Sequence, residues 1–172
     1  MRDWGTEPQD TDAALAFYAA RMRDDAPDEF LADYMTFCWQ ACEPGRVAAL
    51  DLSDAAFTEA ADRLQDLLVA ASHERYRWTA PDFWRRYIAW ADYGDELSFD
   101  VADGRAFLQH NPTYIEPSFY LFSAGGDGSM QSLAVKVLEQ CEQPTLRNQY
   151  VRSVIESTLN SRKPRRPVWQ GC

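Results

Sequence analysis

The stretch Trp78–Tyr93, WTAPDFWRRYIAWADY, decides the fold class. Thr79 is placed to act as an N-cap, Pro81 lies in the first turn, and Asp82 follows Thr79 by three residues in a capping-box-like position. At roughly 100° per residue, Phe83, Trp84, Tyr87, Ile88, Trp90 and Ala91 fall on one continuous side. Asp82, Arg85, Arg86, Ala89 and Asp92 fall on the other. The pattern predicts an amphipathic helix, and its aromatic side predicts the central strut of one hydrophobic core.

Upstream, the same helical spacing recurs three times. Asp10 or Thr11 caps a helix from about Asp12 to Asp24, with Ala14, Phe17, Tyr18 and Arg21 on one side. Pro27, Asp28 and Glu29 suit the first turn of a second helix, where negative charge meets the helix dipole. Its apolar side holds Phe30, Leu31, Tyr34, Phe37, Cys38 and Ala41, and Glu43-Pro44-Gly45 ends it. Ser53 caps a third helix with the stripe Phe57, Ala60, Ala61, Leu64, Leu67, Leu68 and Ala71.

Downstream, Leu97, Phe99 and Val101 alternate and Asp103-Gly104 is a turn signal. A short β-hairpin near 97–108 therefore competes with a loop followed by a helix from Arg105, and the loop and helix are preferred. Pro112 and Pro117 interrupt any long helix, which leaves Ile115–Phe122 as an extended segment or a short buried helix. Gly125-Gly126-Asp127-Gly128 is a break. A helix capped by Asp127 or Ser129 follows, with Met130, Leu133, Ala134, Val137, Leu138 and Cys141 on one face. A last helix starts near Pro144 and carries Leu146, Tyr150, Val151, Val154, Ile155 and Leu159. The expected fold is mainly α: a single-domain bundle of about six or seven helices over 1–161, an irregular middle, and a basic tail at 162–172.

The charge is uneven. The chain carries −10 in all, but residues 1–103 hold 22 acidic against 9 basic side chains, a balance of −13, and residues 104–172 hold 5 against 8, a balance of +3. Such a field repels nucleic acid and anionic lipid and attracts a basic protein surface. No apolar run approaches bilayer length. MRDWGTEPQD has no signal pattern, and the four Cys at uneven spacing form no disulfide framework, so a cytoplasmic location is expected.

No catalytic constellation stands out. In SAGGDGSM (123–130), Gly128 is followed by Ser129 and Met130, not by the Lys and Ser/Thr of a phosphate-binding loop, and a helix–helix connection is the preferred reading. Cys38 and Cys42 lie one helical turn apart, but no second Cys or His pair completes a zinc site. No metal, cofactor or catalytic residue is expected, and the protein reads as not an enzyme. The leading expectation is a stoichiometric protein inhibitor of the immunity-protein, antitoxin or anti-defence type. It would occlude a basic, nucleic-acid-handling enzyme or toxin through an acidic surface that includes Asp24, Asp25, Asp28, Glu29, Asp33, Asp62 and Asp66. The alternative is an adaptor subunit of a larger complex, bound through the aromatic cluster 76–93, with Tyr76, Trp78 and Tyr93 flanking the helix as exposed contacts. A third reading is a small enzyme or nucleotide binder using the loop 124–129.

Overall fold

The computed structural model describes residues 5–23, 25–43, 52–93, 99–142 and 144–162, with only the backbone described at Tyr93. These residues form eight α-helices, two 3-10 turns and no strand. In order they are α1 (Thr11–Arg21), α2 (Asp28–Cys42), α3 (Asp54–Ala71), a 3-10 turn (Glu74–Tyr76) and α4 (Ala80–Tyr93). Then come α5 (Val101–His110), α6 (Ser118–Phe122), a second 3-10 turn (Gly128–Met130), α7 (Gln131–Gln140) and α8 (Leu146–Ser161).

Local chemistry sets the helix starts. The Asp10 carboxylate accepts from the Ala13 amide at 2.7 Å, Ser53 Oγ from Ala56 at 3.2 Å, and Thr145 Oγ1 from Asn148 at 3.3 Å. Each satisfies one of the amides that a helix leaves without an internal acceptor. Asp100 and Asp103 form a reciprocal capping box at the start of α5, with bonds of 2.9 and 3.1 Å. The helix thus starts at Val101, four residues before the expected Arg105, and the alternative hairpin is absent over 99–108; Leu97 lies outside the described residues. The Asp103-Gly104 pair misleads because it also serves a helix. Asp103 closes the box, and Gly104 admits the α6 side chains. A Cβ on Gly104 would stand 2.9 Å from Leu121 Cδ2 and 3.2 Å from the Tyr120 ring.

The aromatic helix is not the axis of the bundle. That place belongs to α2, where every residue from Phe30 to Ala41 is buried. It packs against α1, α3, α4 and α8, and a helix surrounded in this way has no solvent face. Its polar residues are accommodated inside: Thr36 Oγ1 donates to the Ala32 carbonyl at 2.8 Å, and Asp33 meets an arginine described below. Helix α4 forms the second layer as expected, burying Phe83, Trp84, Tyr87 and Ile88. Around them Trp39, Phe99, Phe107, Phe119 and Tyr150 make edge-on and stacked ring contacts. Ala91, predicted on the apolar side, is exposed, and Asp82, predicted on the polar side, is buried. Asp82 accepts from the Trp78 amide and ties down Arg85 and Arg86 at 2.9 and 3.0 Å. The remaining stretch, Ser118–Phe122, is a short helix buried at every residue. Buried side chains from all eight helices join in one cluster.

Trp84 is fully buried, so Trp84→Ala leaves a large cavity and is expected to cost about 3–5 kcal/mol in urea unfolding. A loss below about 1 kcal/mol would show that α4 does not hold the second layer.

Candidate functional site

The residue that draws the described elements to one point is Arg147. It follows the Thr145 cap in the first turn of α8 and lies one turn before Val151, on the stripe that faces α2. Only 3% of it is exposed. Its Nη2 donates to the Glu29 carboxylate and its Nη1 reaches the Glu29 carbonyl at 3.5 Å. Its Nε lies 3.2 Å from Asp33 Oδ1 and 3.3 Å from Glu116 Oε1, close ion contacts without hydrogen-bond alignment. Glu29 and Asp33 stand one turn apart on α2. Glu116 comes from the turn that carries the chain from α5 into α6. Tyr114 on that turn donates to Glu116 Oε2 at 2.9 Å. Glu7, from the segment before α1, accepts from the Tyr18 hydroxyl and from the Leu146 amide at the start of α8.

Among the described residues three carboxylates meet one guanidinium here, and Asp33, Glu116 and Arg147 are buried. Burying uncompensated charge is costly, and a carboxyl in such a place keeps its proton more tightly. Burial accordingly pushes the Glu116 carboxyl above its ordinary 4.5, although Arg147 pulls the other way. Burial also works against the Arg147 cation, but Glu116, Asp33 and Glu29 outweigh it and hold the guanidinium charged. The Tyr114 hydroxyl is raised by burial and by Glu116, and so remains a donor. Beside these groups opens a cleft of about 230 Å³, lined by Glu29, Ile115, Glu116, Val137, Cys141 and Asn148 among others.

The residues singled out from sequence are scattered. Asp62 and Asp66 are exposed on the outer side of α3, and Asp25 is exposed before α2. Asp28 is half-buried. Glu29 is engaged by Arg147, and Asp33, only 1% exposed, belongs to the interior and not to an acidic surface. Asp24 lies outside the described residues, as does the side chain of Tyr93. Tyr76 is a core residue at 4% exposure, with the Arg75 guanidinium 4.4 Å over its ring, and not an exposed contact. Trp78 is half-buried, packed edge-on to Phe107 and stacked on His110 at 4.4 Å. Its φ of 63° is strained for a bulky side chain. Asp82 on its amide and Asn111 on its carbonyl hold it there.

The loop 124–129 turns its donors inward. The amides of Gly125, Gly126 and Asp127 bond the carbonyls of Tyr120, Ser123 and Leu121. That of Ser129 bonds the Asp127 carboxylate at 3.0 Å. Hydrogen bonds from Ser129 and Arg105 lower the Asp127 pKa, which places a fixed negative charge where a phosphate would sit. Cys38 is buried and its thiol is pushed up by burial, so it stays protonated and is a poor ligand. Among the described residues no three His, Cys, Asp or Glu are grouped to hold a metal.

Sequence reasoning passed over Arg147, Glu116 and Tyr114. One signal was available: Arg147, Val151, Val154 and Ile155 share a helical stripe, so Arg147 occupies a core position. Glu116, six residues past the end of α5, offers no comparable pattern.

Two outcomes follow from the cluster. Arg147→Met removes the guanidinium that meets these carboxylates and is expected to destabilise the fold by about 3–5 kcal/mol in urea unfolding, because Asp33 and Glu116 stay buried. A loss under about 1 kcal/mol would contradict this. The Glu116 pKa is higher folded than unfolded, so its contribution to stability is present below pH 4.5 and is lost as pH rises through the folded value. Glu116→Gln should therefore gain on the wild type in thermal melts as pH rises from 4.5 to neutral; the opposite trend would refute the shift.

Compared with protein-family models, with curated proteins and with solved structures, the chain finds no match, so its function is argued from its own geometry.

Proposed function

We propose that this protein is a stoichiometric inhibitor that binds a basic, nucleic-acid-handling enzyme or toxin, in the manner of an immunity protein, antitoxin or anti-defence protein. The observation that carries the reading is the outer side of α3. Asp54, Glu59, Asp62 and Asp66 are exposed there, Arg63 is the one basic residue of the helix, and Val69 stands 73% exposed among them. Arg63 lies 3.9 Å from Glu59 and 4.0 Å from Asp66, at the edge of ion pairing, and leaves the surface acidic. Such a face steers a basic partner at long range, and an exposed apolar residue within it gives a dry contact at short range. The acidic balance of residues 1–103 points the same way.

Of the contacts in the adaptor reading, Tyr76 is buried and Trp78 half-buried, and the side chain of Tyr93 lies outside the described residues. The loop reading loses its donors to internal carbonyls. Among the described residues no helix is long and apolar enough to cross a membrane.

The test uses the triple variant Glu59→Gln, Asp62→Asn, Asp66→Asn and a basic partner recovered by affinity capture. Association should slow about tenfold at low salt and hardly change at about 0.5 M salt, where screening removes the field. An unchanged association rate at low salt would contradict steering by α3.

A further inference from the structure

The chain ahead of α1 runs beside the start of α8, and it is attached differently from the interior. Among the described residues, 5–9 make no backbone–backbone hydrogen bond. Gly5, Thr6 and Gln9 are exposed, and only Glu7 and Pro8 turn partly inward. Gly5 takes a φ of 92°, open to glycine and rare for other residues, where the chain passes the Phe17 ring. The Glu7 carboxylate makes the long-range attachment. Its Oε2 accepts from the Tyr18 hydroxyl, and its Oε1 from the Leu146 amide at 3.2 Å. One side chain therefore joins this segment to α1 and to the first turn of α8. Behind it lies a cleft of about 270 Å³, lined by Glu7, Pro8, Thr11, Ala14, Phe37 and Leu146 among others. We infer that residues 5–9 are a strap that opens separately from the core, with Glu7 as its latch. Opening uncovers the apolar floor made by Ala14, Phe37 and Leu146. The inference goes beyond the inhibitor reading and does not depend on the α3 face.

Packing, latch and hinge each argue for a separate opening. Protein interiors are close-packed, whereas the cleft leaves the strap without full apolar contact on its inner side. Little burial and few backbone bonds put a segment at the low end of local stability. The latch has two discrete positions, because both donors it serves need an acceptor. Tyr18 is buried, and burial above all, then Asp33 and Glu7, raises its hydroxyl pKa, so it remains a donor. The Leu146 amide is one of those that a helix leaves without an internal partner. In the closed position the carboxylate serves both; in the open one both pass to water. The hinge is Asp10. Its side chain caps α1 through the Ala13 amide and its carbonyl accepts from Ala14 at 2.9 Å, so the strap lifts without unwinding the helix.

The test is native-state hydrogen exchange on the full chain, read by NMR at the Leu146 amide and at the core Phe37 amide, in urea below the unfolding transition. Opening of the strap alone exposes little surface, so exchange at Leu146 should hardly depend on urea. It should also run at least about a hundredfold faster than exchange at Phe37, whose steep urea dependence marks global unfolding. Glu7→Gln keeps the size of the side chain and replaces one acceptor oxygen by a donor nitrogen. It should speed Leu146 exchange about tenfold, with the urea dependence still flat. Exchange at Leu146 with the same urea slope as Phe37 would show that the strap opens only with the whole fold, and would overturn the inference. A wild-type Leu146 amide without protection, or one that Glu7→Gln leaves unchanged, would show that Glu7 is no latch and would overturn it equally.

Discussion

A single buried guanidinium ties together parts of the chain that are far apart in sequence. Arg147 on α8 meets Glu29 and Asp33 on α2 and Glu116 on the turn between α5 and α6. Buried ion pairs add little net stability when complete and are costly when broken. Their value here is geometric: the guanidinium meets its carboxylates only when α8 lies in one register against α2. Glu7 strengthens the same junction by placing its carboxylate on the first amide of α8, where the helix dipole favours negative charge.

The rest of the architecture divides into a fixed interior and a charged exterior. Helix α2 is the axis. Tyr87 and Tyr150 share a hydroxyl–hydroxyl bond of 2.7 Å, and the Trp39 indole donates to Asp92 at 2.7 Å, so the aromatic layers are held by polar contacts as well as by packing. Rings on a rigid frame make poor adaptable surfaces. The acidic side of α3 is the surface on which the proposed function rests. In the proposed reading an exposed charged helix of this kind acts on association.

The fold was legible in the sequence because it rests on local chemistry. The caps at Asp10 and Ser53, the stripe of α7, the stripe of α3 apart from the exposed Phe57, and the buried quartet of α4 are written in local spacing. What spacing does not report is the number of neighbours a helix has. Helix α2 carries Asp33, Thr36 and Gln40 where a half-exposed helix would, and only its position between α1, α3, α4 and α8 buries them. The same limit hid the site. Glu29 and Arg147 are 118 residues apart, and no local pattern announces a pairing at that distance. Asp33, read as a surface acid, is the clearest casualty. Asp103-Gly104 failed for another reason, since a turn signal and a capping box followed by a tight helix crossing use the same residues.

The central claim is that burial at the Arg147 cluster outweighs the pull of the guanidinium on Glu116. The most direct measurement is a carbon-13 NMR titration of the Glu116 side-chain carboxyl in the intact protein. The account predicts a midpoint clearly above the ordinary 4.5, because burial outweighs the pull of Arg147. A midpoint at or below 4.5 would contradict it, since the pull of Arg147 would then match or outweigh burial.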